Sequence, residues 1–219
     1  MATRRKPIVY SLFVFLCLSV GNSIGQTSSD AGLQMRVSEF TSEGRDLAAT
    51  LAFLARTYRV PIGFECSETE VGSAIRVKSN IKDAPLDYVV ESIVRQNQDY
   101  SWEFRGGVIY VFPARNRNER VRRILMTKIK LYAPMQGISR SDLKAYLAQL
   151  PELEHFFRNK PFGVSVDAEP FVDTPLPADS LRPLFDVDLR TVLNEIAKST
   201  EQKFWYVQNL NDDAVLISF

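Results

Sequence analysis

The side chains from which chemistry could be built are few. Beyond residue 25 the chain holds one histidine and one cysteine, and two of its acidic groups could supply paired carboxylates. His155 stands beside Phe156 and Phe157. A serine nucleophile would need that imidazole as its general base. No Gly-x-Ser-x-Gly turn to present such a serine occurs beyond residue 25. Zinc centres draw on several histidines or cysteines, whereas His155 could add only carboxylates such as Glu152 and Glu154. His155 therefore reads as a partly packed structural residue. Gly106 and Gly107 lie between β-rich runs without the lysine a phosphate-binding loop requires. Glycan hydrolysis needs only two carboxylates. Glu65, Glu68 and Glu70 form one acidic group, and Asp186 and Asp188 another. The first reads as a solvated loop and the second as a helix cap, so an exported carboxylate-dependent glycan hydrolase is the enzymatic alternative. No catalytic, cofactor-binding or metal-ligating residue is assigned, and the chain reads as non-enzymatic.

The aromatic residues and one arginine run carry more. Trp102, Phe104, Tyr110 and Phe112 fall on two β-rich runs, and Phe204, Trp205 and Tyr206 on a later one. Alternation along a strand sends some inward and others to an open sheet face. Trp102, Phe104, Tyr110, Trp205 and Tyr206 are the candidate partner-binding residues, on a sheet face or edge able to accept a partner strand. The plainer reading is core and cross-strand pairing. Arg115, Arg117, Arg120, Arg122 and Arg123 read as a solvated connector or the charged start of the next strand. The alternative is a docking patch for lipid headgroups or an acidic partner. Cys66 reads as a packed residue near a strand end. Once Cys17 leaves with the leader, no intramolecular disulfide is available.

These side chains must be positioned by small α+β elements. Leu47, Leu51, Leu54 and Tyr58 recur at helical spacing over Asp46–Tyr58, and Pro61 stops that helix. Strands are expected over Met35–Phe40, Ile62–Glu65 and Ile75–Ser79. Asp83 is expected to cap a helix carrying Leu86, Val89, Val90, Ile93 and Val94. Tyr100–Phe104 and Val108–Phe112 then form a hairpin through the glycine pair. A second unit is expected to open with a strand over Ile124–Tyr132. Ser139, with Asp142 three residues on, should cap a helix bearing Leu143, Tyr146, Leu147 and Leu150. A strand over Phe162–Val166, a Pro-rich insertion over 168–183, a helix with Leu189, Val192, Leu193, Ile196 and Ala197, and strands over Phe204–Val207 and Ala214–Phe219 complete it.

The first 25 residues read as a signal peptide. Arg4, Arg5 and Lys6 precede a charge-free apolar run from Ile8 to Val20, too short for a membrane span. Ser23 and Gly25 suit cleavage before Gln26; an uncleaved anchor is the alternative. Removing the three basic residues leaves 24 basic against 26 acidic residues, a formal charge of about −2. No later run is apolar enough to span a bilayer. The expectation is an exported, periplasmic or secreted protein, soluble after cleavage, that does not bind nucleic acid. Nothing in the sequence sets its oligomeric state.

The two halves match at a spacing of 103 residues: Asp83 with Asp186, Leu86 with Leu189, Val90 with Leu193, Ile93 with Ile196, Trp102 with Trp205. One supersecondary unit used twice is the simplest reading, with boundaries at 33–113 and 124–219. On Leu47–Leu51–Leu54, Ala84-Pro85-Leu86, and the closing runs Tyr100–Phe104 and Gly106–Val111, the first copy resembles the STN domain, the short N-terminal domain of secretins and TonB-dependent receptors. The resemblance covers about residues 35 to 113. The second copy is similar to a diverged STN domain and to the C-terminal domain of FecR-type regulators. The resemblance implies two tandem βαβ-βαβ small-sheet units with helices packed on one face. It also implies contact with an envelope protein, an outer-membrane or secretion-system component, and alternatively work as a FecR- or TonB-type signalling adaptor. It extends to the module, not to a barrel or pore.

Overall fold

The computed structural model describes residues 32–66, 76–157, 175–177, 181–211 and 214–219. The expected leader, the strand over Phe162–Val166, Glu68 and Glu70, and most of the Pro-rich segment lie outside them. The architecture is α+β. The element order is β1 (Arg36–Arg45), α1 (Leu47–Tyr58), β2 (Ile62–Glu65), β3 (Val77–Pro85), α2 (Leu86–Val94), β4 (Tyr100–Arg105), β5 (Val108–Pro113) and α3 (Glu119–Leu125). It continues with β6 (Lys128–Tyr132), α4 (Arg140–Ala148), α5 (Glu154–Phe157), β7 (Leu184–Asp188), α6 (Leu189–Ser199), β8 (Phe204–Asn211) and β9 (Ala214–Ser218).

A five-stranded sheet in the order β4-β5-β2-β8-β9 draws on both halves of the sequence. Its centre is parallel: β2 pairs with β5 on one side and β8 on the other. Its flanks are the antiparallel hairpins β4–β5 and β8–β9. One face carries Ile62, Phe64, Ile109, Val111 and Phe204 against α1, α2 and the antiparallel ribbon β1–β3. The opposite face carries Tyr110, Trp205, Val207 and Ile217 against α3, α4, α6 and the ribbon β6–β7. Each half thus keeps its helices on one face of its own strands. Because the strands merge into one sheet, the two helical layers end on opposite sides of it.

Local chemistry sets the elements. Asp46 accepts from the Ala49 amide at 2.6 Å and starts α1, whose Leu47, Leu51 and Leu54 are buried. Arg59, at φ 57°, ends that helix in the left-handed conformation. Ser139 accepts from the Asp142 amide at 3.1 Å and starts α4 as expected. Gly106 and Gly107, at φ 59° and 79°, supply the primed turn joining β4 to β5.

Two expectations are corrected. Asp83 does not cap α2. The helix begins at Leu86, with Pro85 in the capping position, and the Leu86 amide is satisfied by the Met35 carbonyl at 2.9 Å. With that donor already paired, Asp83 serves instead as a left-handed residue (φ 48°) bonded to Arg36 Nε at 2.8 Å. Correspondingly, α6 is capped by Asp188, not Asp186. The arginine run is neither a connector throughout nor a strand start. Asn118 accepts from the Arg120 and Val121 amides and turns it into α3, whose Val121, Ile124 and Leu125 are buried. The strand expected from Ile124 therefore begins only at Lys128.

The ribbons β1–β3 and β6–β7 share one register. Val37↔Ala84, Glu39↔Lys82 and Phe40↔Ile81 in the first correspond to Ile129↔Val187, Leu131↔Phe185 and Tyr132↔Leu184 in the second. Asp83 and Asp186 both take a positive φ, 48° and 50°. The Leu189 amide meets the Thr127 carbonyl at 2.9 Å, as Leu86 meets Met35.

Candidate functional site

The five candidate aromatic residues divide between the two faces of the sheet. Tyr110 and Trp205 point toward α3 and α6 and are buried, Trp205 completely. Trp102, Phe104 and Tyr206 point toward α1 and α2 and are half-buried. Both faces are covered by helices, so no open aromatic face exists among the described residues. The two tryptophans make corresponding bonds to the helix before them. Trp102 Nε1 donates to Glu91 Oε2 at 2.5 Å and Trp205 Nε1 to Asn194 Oδ1 at 2.9 Å, each eleven residues back. The indole N–H holds the Glu91 carboxyl below its usual range, aided by Arg95. Trp205 lies flat on β2 because residue 63 is glycine: a Cβ there would stand 2.3 Å from the indole.

Edge strand β4 offers what the sheet faces do not. Among the described residues no strand lies beyond it. The two-residue turn makes Arg105↔Val108 a hydrogen-bonded pair, and such pairs alternate along an antiparallel ladder. The backbone groups of Trp102 and Phe104 therefore point to the outer edge. The inner neighbour agrees with this phase: the Ile109 amide, opposite Phe104, turns away from β4 to the Pro61 carbonyl at 2.9 Å.

Among the described residues the candidate acids do not converge. Glu65 is buried at the carboxyl end of β2, where it accepts the Tyr110 hydroxyl and meets Arg117 Nη2 at 3.4 Å. Burial, reinforced by the Glu65 charge, pushes the Tyr110 phenol far above its usual value, so it stays a donor. The Arg117 guanidinium covers the Phe112 ring at 4.2 Å, and Arg190 covers Tyr110 at 5.3 Å. The cluster ties α6 and the segment leading into α3 to the sheet. Asp186 is exposed on β7, and Asp188 caps α6 through the Thr191 amide at 2.8 Å. His155 is exposed, with its ring centroid 3.8 Å from that of Phe156. No group of three or more potential metal ligands occurs among the described residues, and no described helix is long and apolar enough to cross a membrane. Cys66 is buried and lines a cleft of about 290 Å³ between α1 and β8–β9, with Ala48, Ala52, Phe64, Phe204 and Tyr206.

Sequence reasoning missed an exposed apolar group. Leu131, Phe185 and Met135 are 49%, 69% and 77% exposed. Setting Leu131 beside Glu39 and Phe185 beside Lys82, as the shared register does, would have exposed them as apolar residues in charged positions.

Comparison with known protein families, with curated proteins and with solved structures finds no match.

Proposed function

We propose that this chain is an exported, non-enzymatic protein-contact module of the bacterial cell envelope, of the STN kind, which takes a strand of its partner on the outer edge of β4. The observation that carries the reading is the open edge itself. Trp102 and Phe104 turn their amides and carbonyls outward from β4, and an added strand gains its affinity from such groups. Their half-buried rings on the α1–α2 side add apolar surface along the same strand. The partner is an outer-membrane or secretion-system protein that donates an extended segment.

Amide exchange by NMR tests this. The Trp102 and Phe104 amides are followed in the purified chain, alone and with solubilised outer-membrane proteins from the same bacterium. The expected outcome is roughly tenfold slower exchange or more at these two amides on addition. The protein recovered from the periplasm should begin at Gln26. Exchange at β4 that does not change would refute strand addition, and retention in the cytoplasm would refute export.

A further inference from the structure

We infer that the strand taken by β4 runs antiparallel to it and reads, from its N-terminal end, acid, apolar, base, apolar. The inference rests on the proposed role of the β4 edge and names the chemistry of its partner. Side chains of an added strand fall on the two faces of the sheet in turn. Backbone bonds give such a strand its affinity, and the alternate side chains give its specificity.

One face of β4 carries two charges without a counterpart. Glu103 and Arg105 are exposed. Among the described residues neither makes an ion pair or a side-chain hydrogen bond. Their neighbours on β5 are Tyr110 and Val108, so the inner strand offers no opposite charge. Lys198, by the turn at Gly107, is held by Glu195 at 2.6 Å. An outer strand is left to supply a base at Glu103 and an acid at Arg105, since opposite charges across a ladder stabilise it and like charges oppose it. On the other face Trp102 and Phe104 present half-buried rings. Tyr88, 58% exposed, stands three residues before Glu91 and so on the side of α2 that meets Trp102. Residues opposite Trp102 and Phe104 therefore meet aromatic surface and are apolar.

The backbone sets the direction and excludes a self-pair. Antiparallel pairing is the more stable per residue. It puts Trp102 and Phe104 in hydrogen-bonded pairs and Glu103 in the pair between them, where side chains stand closest. A second copy of β4 fits poorly. The Tyr100 amide is bonded to the Asn97 carbonyl at 3.1 Å. Trp102 and Phe104 would then have to pair with Phe104 and Trp102 of the other copy, and that register sets Glu103 against Glu103.

The test selects a random displayed peptide library on the immobilised full-length chain and on the same chain carrying Glu103→Arg/Arg105→Glu. Both positions are exposed, so the exchange leaves the fold intact. The parent chain should enrich acid-apolar-base-apolar peptides that slow exchange at the Trp102 and Phe104 amides. The exchanged chain should enrich base-apolar-acid-apolar peptides and bind the parent's peptide about fivefold more weakly or worse. Peptides that protect both amides but keep their order on the exchanged chain would overturn the inference and leave strand addition standing. Peptides that leave both amides unprotected, or no enrichment, would overturn it together with strand addition at β4. Protection that grows with protein concentration in the absence of peptide, matched by dimerisation in sedimentation, would overturn it in favour of a second copy.

Discussion

The ribbons β1–β3 and β6–β7 agree where they face the core and differ where they face water. Val37 and Phe40 are buried in the first, Ile129 and Tyr132 in the second, at matching register positions. In both, an aspartate on the partner strand takes a positive φ and the buried residues lie three apart. On the outer side, Glu39 and Lys82 make an ion pair, whereas Leu131 and Phe185 stand exposed. A one-residue slip would turn either inner set outward. Register is therefore set by the core side, which leaves the outer side free to vary.

The comparison between the halves can be broken at its tryptophans first. Trp205→Ala should cost about 3–5 kcal/mol, because the ring is fully buried on Gly63. Trp102→Ala, on a half-buried ring at the sheet edge, should cost about 1–2 kcal/mol. Urea denaturation of both variants decides it, and equal losses would mean that the halves are equally packed. Gly63→Ala comes next, at about 1–3 kcal/mol, because a Cβ must push the indole aside.

Tyr132→Phe sharpens the comparison, since Phe40 holds the same place in the other ribbon. The Tyr132 hydroxyl is buried with no hydrogen-bond partner among the described residues, so its removal should be neutral or stabilise by about 1 kcal/mol. Burial raises the Tyr132 phenol above its ordinary value of 10.0. The unfolded chain releases that proton first, so stability is complete below about pH 10 and falls as pH rises above it. Thermal melts across that range should show a shallower alkaline loss for Tyr132→Phe than for the parent chain. The smallest effect belongs to the outer faces. Glu39→Ala and Phe185→Lys should each change stability by no more than about 0.5 kcal/mol in the same denaturation assay, because both positions are largely exposed.

The helical stripes were legible because burial at helical spacing is local: Leu47, Leu51 and Leu54, or Leu189, Val192 and Ile196, state their own face. The hairpin at Gly106 and Gly107 was legible from the turn it requires. The capping role of Asp83 was misread because the satisfying carbonyl, that of Met35, is distant in sequence. Helix α3 was misread because arginines dominated the run, although Val121, Ile124 and Leu125 carry its buried face. The merger of the halves rests on β2 pairing with β8, about 140 residues apart, and no local pattern records such pairing. That merger buries Tyr110 and Trp205, leaving Trp102 and Phe104 on β4 at the accessible edge.

Photo-cross-linking in intact cells tests the contact role most directly. With a benzophenone side chain replacing Glu103 on β4, a covalent adduct to an envelope protein should form, while the same group at Lys82 should give none. Equal yields from both positions, or no adduct from Glu103, would contradict strand addition at β4.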